Sequence, residues 1–97
     1  MAPLPVLATV IDPDGRTVVL TQHTWDHIIS RHPELRPFRG AILAAVRAPT
    51  LRRGGRMPGE EWFYLRVLGP SRWLKVVVTY RAGLGRIRTA FARRAFP

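Results

Sequence analysis

Two rhythms of hydrophobic and polar positions divide this chain into a strand-rich opening, a helical middle and a strand-rich close. Val6–Ile11 is apolar and β-branched enough for a strand. Asp12-Pro13-Asp14-Gly15 follows as a turn, with proline early and glycine last. Residues 16–20 then read as the returning strand, so a β-hairpin is expected at the start. Thr21 is placed to N-cap a helix over 22–32. At about 100° per residue, Trp25, Ile28 and Ile29 make one apolar stripe with His32 near its centre. His23, His27 and Arg31 recur every fourth residue and line a separate polar flank. Pro33 stops this helix. A second one starts near Pro37, turns Phe38, Ile42, Ala45 and Val46 toward the core, and ends at Pro49.

From Thr50 the period becomes alternating. Residues 50–53 read as a short strand, followed by a flexible Gly-Gly-Arg-Met-Pro-Gly loop and a strand over 61–68. The Gly69-Pro70-Ser71 turn leads into the clearest strand, 72–80, and after Ala82-Gly83-Leu84-Gly85 a last strand covers 86–92. Short turns between successive strands predict an antiparallel meander. The expected fold is α+β: an N-terminal β-hairpin, two helices, then a three- to four-stranded antiparallel sheet packed on the helices. Ninety-seven residues suit a single domain, 1–97, with one core.

Composition narrows the function classes. No segment approaches the ~18 uninterrupted apolar residues of a membrane helix, so no membrane partner is expected. The first residues lack the basic start and apolar stretch of a signal peptide, and the chain has no cysteine; both fit a cytoplasmic protein. Sixteen Lys+Arg against six Asp+Glu give a formal charge of +10, which draws phosphate backbones or acidic proteins. All the basic residues except Lys75 are arginine, whose planar fork grips phosphate and stacks on bases. A GC-rich genome would also favour arginine over lysine, but it leaves the shortage of acids unexplained.

Candidate chemistry gathers on the first helix and the last strand. His23 and His27 have the spacing of two zinc ligands on one helix face. There is no cysteine, no acid is placed as a third ligand, and Thr24-Trp25-Asp26 lacks a metalloprotease glutamate, so neither metal nor cofactor is expected. His27 and Arg31 share the polar flank, where an imidazole beside a permanent cation can serve as acid/base and phosphate stabiliser; a solvated helix face has the same pattern. His32 reads either as a helix-capping residue or as a catalytic one. On the last strand, alternation groups Arg86, Arg88 and Ala90 on one face and Ile87, Thr89 and Phe91 on the other. Arg86 and Arg88, with Lys75 on the adjacent strand, His23 and a stacking Tyr80, form the expected RNA-binding set. Trp62, Tyr64 and Trp73 are further stacking candidates, to be divided between core and surface.

The element His27-Ile28-Ile29-Ser30-Arg31-His32-Pro33-Glu34, a second helix ending at Ala48-Pro49, and Thr89-Ala90-Phe91 in the closing strand resemble a known set. They look like the phage-associated branch of the barnase–EndoU–colicin–RelE (BECR) nuclease superfamily, over about residues 21–94. That resemblance implies a small α+β, metal-independent ribonuclease, often a toxin. It would make His27, Arg31 and Thr89 the catalytic candidates, with His32 a fourth. The expected reaction is attack by the RNA 2′-hydroxyl on the adjacent phosphate, releasing a 2′,3′-cyclic phosphate; DNA lacks that nucleophile. Two other readings share the same residues: an RNA-binding module without turnover, and a toxin-like protein acting mainly through an acidic antitoxin or immunity protein.

Overall fold

The computed structural model describes residues 5–66 and 72–95. Strand β1 (Val6–Ile11) and strand β2 (Thr17–Thr21) form the expected antiparallel hairpin. Asp12 builds its turn: its carboxylate accepts from the backbone N–H groups of Asp14 and Arg16 at 2.9 and 2.8 Å. Helix α1 (Gln22–Arg31) starts at Thr21, whose hydroxyl accepts from the Thr24 N–H at 3.2 Å, and ends where the His32 N–H bonds to the Ile28 carbonyl.

The second helix begins later than the pattern predicts. Pro33 and Pro37 sit four apart, and Pro37 offers no N–H for a helical bond. The chain therefore passes through a tight 3-10 segment, Pro33–Phe38, before helix α2 (Arg39–Arg47). Ile42, Ala45 and Val46 of α2 are fully buried as expected, and Phe38 packs partly against them. Strands β3 (Leu51–Gly54), β4 (Glu60–Leu65), β5 (Trp73–Arg81) and β6 (Leu84–Arg93) complete the chain. The expected turn Gly69-Pro70-Ser71 and the end of the 61–68 strand at residues 67–68 lie outside the described residues.

The sheet differs from the expectation. It is one mixed sheet of six strands in the order β1-β2-β6-β5-β4-β3, rather than an antiparallel sheet of three or four strands beside a separate hairpin. The strands from β3 to β6 do form the meander, but β6 continues the sheet by pairing parallel to β2, from Thr17↔Leu84 to Val19↔Arg86. No local signal marks this contact, because its partners lie at opposite ends of the chain. Gly85 permits it: a Cβ there would come within 2.8 Å of the Val18 side chain and 2.7 Å of the Tyr80 ring.

One face of the sheet carries Val18, Leu20, Phe63, Leu74, Val76, Val78, Ile87 and Ala90. These close into a single core with Trp25 and Ile28 of α1 and with the buried face of α2. The pairing of β2 with β6 stops at Arg86, and α1, which follows β2 directly, takes its place beside the rest of β6. The opposite face holds Val19, Thr79, Arg86, Thr89, Lys75 and Phe91. Among the described residues no helix is long and apolar enough to cross a membrane.

Candidate nucleic-acid interface

A recess of about 250 Å³ opens between α1 and β6, lined by His23, Thr24, His27, Arg86 and Arg88. The helix supplies one wall because positions three and four apart stack on one flank, which brings His23 and His27 together with Thr24 between them. Thr24 is buried, and its hydroxyl accepts from that of Thr21 at 3.2 Å. Its own proton can then be donated into the recess. The strand supplies the cationic wall.

That wall depends on a break in the strand's alternation. Val77 pairs with Thr89 and Val78 with Ile87, so Arg88 is an extra residue, a β-bulge. Ile87 and Ala90 consequently both face the core, while Arg86, Thr89 and Phe91 share the opposite face. The expected grouping of Arg86, Arg88 and Ala90 against Ile87, Thr89 and Phe91 is thereby corrected. Arg86 carries the one side-chain nitrogen among the described residues that is buried without a hydrogen-bond partner, its Nε. An unpaired buried guanidinium N–H costs free energy that an anionic ligand would recover.

The remaining candidates are distributed around this recess. Arg31 is exposed in the last turn of α1, one turn beyond His27 and outside the recess lining. His32 caps the helix through its backbone; its ring is 6.0 Å from that of Phe91, and its Nδ1 is 3.6 Å from a Glu34 oxygen. Thr89 is half-buried next to the bulge.

Lys75 is on the same sheet face as Arg86 but four residues away along β5, about 13 Å. Far from forming an open basic surface, it is buried, with its Nζ 3.5 Å from the Trp62 ring centre and Tyr64 and Phe91 within 6 Å. Burial first, then the Arg93 charge, pulls its pKa below the ordinary lysine value. Tyr80 is on the core side of the sheet. Its hydroxyl donates to Asp12 at 2.7 Å and the Arg16 guanidinium covers its ring at 3.6 Å, so its ring is already stacked.

The acids are concentrated elsewhere. At the end of the sheet formed by the β1–β2 turn, Arg16 binds Asp12 and Glu61, and Arg52 binds Asp14 and Glu61, at 2.7–2.9 Å. Glu60 accepts the Trp62 indole N–H at 2.7 Å. Among the described residues no carboxylate lines the recess, and no three His, Asp or Glu side chains are grouped to hold a metal ion. Sequence reasoning missed Thr24, whose place between His23 and His27 on the helix flank was the available signal. It also missed the orphaned nitrogen of Arg86, which only packing reveals. Comparison with family models, curated proteins and solved structures finds no match.

Proposed function

We propose that this chain is a metal-independent endoribonuclease of the BECR type, with the recess between α1 and β6 as its active site. The observation that carries this reading is the meeting of two imidazoles, a buried hydroxyl and two arginines, one with an unpartnered Nε, in a recess without any carboxylate. Such a lining offers proton transfer and phosphate binding together, and it repels nothing negative. The sequence element from His27 to Glu34 supports the same reading through its resemblance to those nucleases.

In this mechanism one of the pair His23 and His27, neutral, takes the proton of the RNA 2′-hydroxyl. The 2′-oxygen attacks phosphorus, the P–O5′ bond breaks, and the other imidazole, protonated, gives its proton to the departing 5′-oxygen. The products are a 2′,3′-cyclic phosphate and a 5′-hydroxyl. Arg86 and Arg88 stabilise the charge on the phosphorane, and Thr24 donates to a non-bridging oxygen. Arg31 and Thr89, which flank the recess, guide the neighbouring phosphates.

The test is incubation of the purified protein with mixed-sequence RNA and the matching DNA in EDTA. The expected result is RNA-only cleavage with cyclic phosphate ends, reduced about 10²–10⁴-fold in folded His27→Ala. Undiminished cleavage in that variant would remove His27 from the mechanism. One observation favours a second reading, binding without turnover: His23 and His27 are exposed, and the neighbouring carboxylate, Asp26, accepts from Gln22 at 2.9 Å. Intact RNA that nevertheless shifts with the protein would select that reading.

A further inference from the structure

The recess does not end at its arginines. Arg86 and Arg88 also line a second, larger hollow of about 870 Å³, which lies over the sheet on the side away from the helices. Its walls include Val19 of β2, Leu84 and Arg81 at the β5–β6 turn, and Pro58 of the loop before β4. It crosses three adjacent strands, β2, β6 and β5, hence roughly 10 Å from first to last. The two hollows therefore adjoin, with the arginines as the side chains they share, and are together called the groove.

The chemistry of the groove changes along its length. Near α1 every lining residue is polar or cationic. Beyond Arg86 the groove becomes apolar between cations, with half-exposed Leu84 facing Val19 and Pro58, and Arg81 joining the two shared arginines. Among the described residues no acidic side chain lines either part. Phosphate alone would have no use for Leu84, Val19 and Pro58, and an apolar ligand would have none for three arginines. A chain that alternates anionic phosphates with flat apolar groups uses both. In a duplex the bases are stacked inside and face each other, so only unpaired bases can reach these apolar walls.

We infer that this groove is a track for single-stranded RNA, holding at least one nucleotide beyond the phosphate in the α1–β6 recess, and that it makes the protein select unpaired over paired RNA. The inference rests on the proposed function for the position of that phosphate, but it concerns binding rather than turnover. Tyr80 also lines this hollow, but its ring is already covered by Arg16, so base contact here comes from Leu84, Val19, Pro58 and arginine planes.

The experiment measures affinity for a labelled 2′-O-methyl RNA octamer, which cannot be cleaved, alone and annealed to its complement. Three proteins are compared: the unaltered chain, Arg81→Glu/Leu84→Glu, and Arg47→Glu as a charge control on exposed α2. The expected result is at least about tenfold preference for the single strand, lost together with about tenfold or more of affinity in the groove variant. The control should keep the preference. Leu84 is 51% exposed, so the groove variant is expected to fold, and its melting temperature verifies this. Equal affinity for single strand and duplex would overturn the track, as would a folded groove variant that binds like the unaltered chain. Absence of cleavage in the RNA assay would sink the ribonuclease reading while leaving this binding result standing.

Discussion

At the scale of single residues, Tyr80 and Asp12 show how a surface-sounding pair became part of the framework. Burial alone would raise the Asp12 carboxyl, but the Tyr80 hydroxyl, the Arg16 backbone N–H and the Arg16 guanidinium together hold it below the usual carboxylate range. Tyr80 is itself pushed well above the ordinary tyrosine value, first by burial and then by the bond to Asp12. The signs are opposite. Asp12 stabilises the fold above its unfolded pKa of about 3.9 and stops doing so as pH falls through its lower folded value. Tyr80 contributes fully below about pH 10 and progressively less above it. Tyr80→Phe is expected to cost about 1–3 kcal/mol at neutral pH, to show a smaller deficit as pH falls and Asp12 is protonated in both proteins, and to remove the tyrosine contribution to alkaline destabilisation. Urea titrations at acid, neutral and alkaline pH check all three; a variant as stable as the parent at every pH would show that the bond contributes nothing. Gly59 is a second such position, with φ at +80° and a Cβ that would meet the Tyr80 carbonyl oxygen at 2.7 Å. Gly59→Ala should cost about 1–3 kcal/mol by thermal or urea unfolding, and an unchanged midpoint would refute that strain.

At the scale of elements, local patterns were legible and long-range pairings were not. Thr21 announced the start of α1 through hydroxyl capping, the Asp-Pro-Asp-Gly turn announced the hairpin, and Ile42, Ala45 and Val46 announced the buried face of α2. Each of these depends on neighbours within about four residues. The delayed start of α2 was also decided locally, by Pro37, although the sequence reading allowed that proline to open the helix. Half of the site was legible in the same sense: His23 and His27 share a flank because of helical spacing. The strand half was not, because a bulge at Arg88 leaves no mark in an alternation pattern of seven residues and reverses the faces assigned to everything beyond it. The bulge makes its own prediction. Deleting Arg88 should restore simple alternation without moving its neighbours, since Ile87 stays opposite Val78 and Thr89 opposite Val77, and residues 89–93 keep their faces. A folded protein with a melting temperature close to that of Arg88→Ala, which keeps the extra backbone residue, is the expected outcome; marked destabilisation by the deletion alone would show that the fold needs the bulge itself.

At the scale of the whole molecule, the charge is divided rather than merely large. Of the six acids, Asp12, Asp14 and Glu61 are bound by Arg16 and Arg52 at one end of the sheet, and Glu60 is engaged by an indole. Asp26 and Glu34 are exposed on and just after α1, and among the described residues none of the six acids lines the groove, whose walls carry cations. Binding of single-stranded RNA should therefore weaken steeply with salt. Arg86→Gln is expected to flatten the log–log salt dependence by about 0.7, the share of one phosphate contact on a single strand. Arg47→Gln should leave it unchanged, and equal flattening by both would mean that net charge alone attracts RNA.

The parallel pairing of β2 with β6 also has a consequence in time. Thr17 and Leu84 meet across most of the chain's length, so the loop between them must be closed before the pairing can stabilise anything, an entropic cost typical of slower folding sheets. During synthesis the hairpin and α1 emerge early and wait for a strand that is made late. Since the recess takes one wall from each, it is assembled only when that last strand arrives, and a chain interrupted before Arg86 has no site at all.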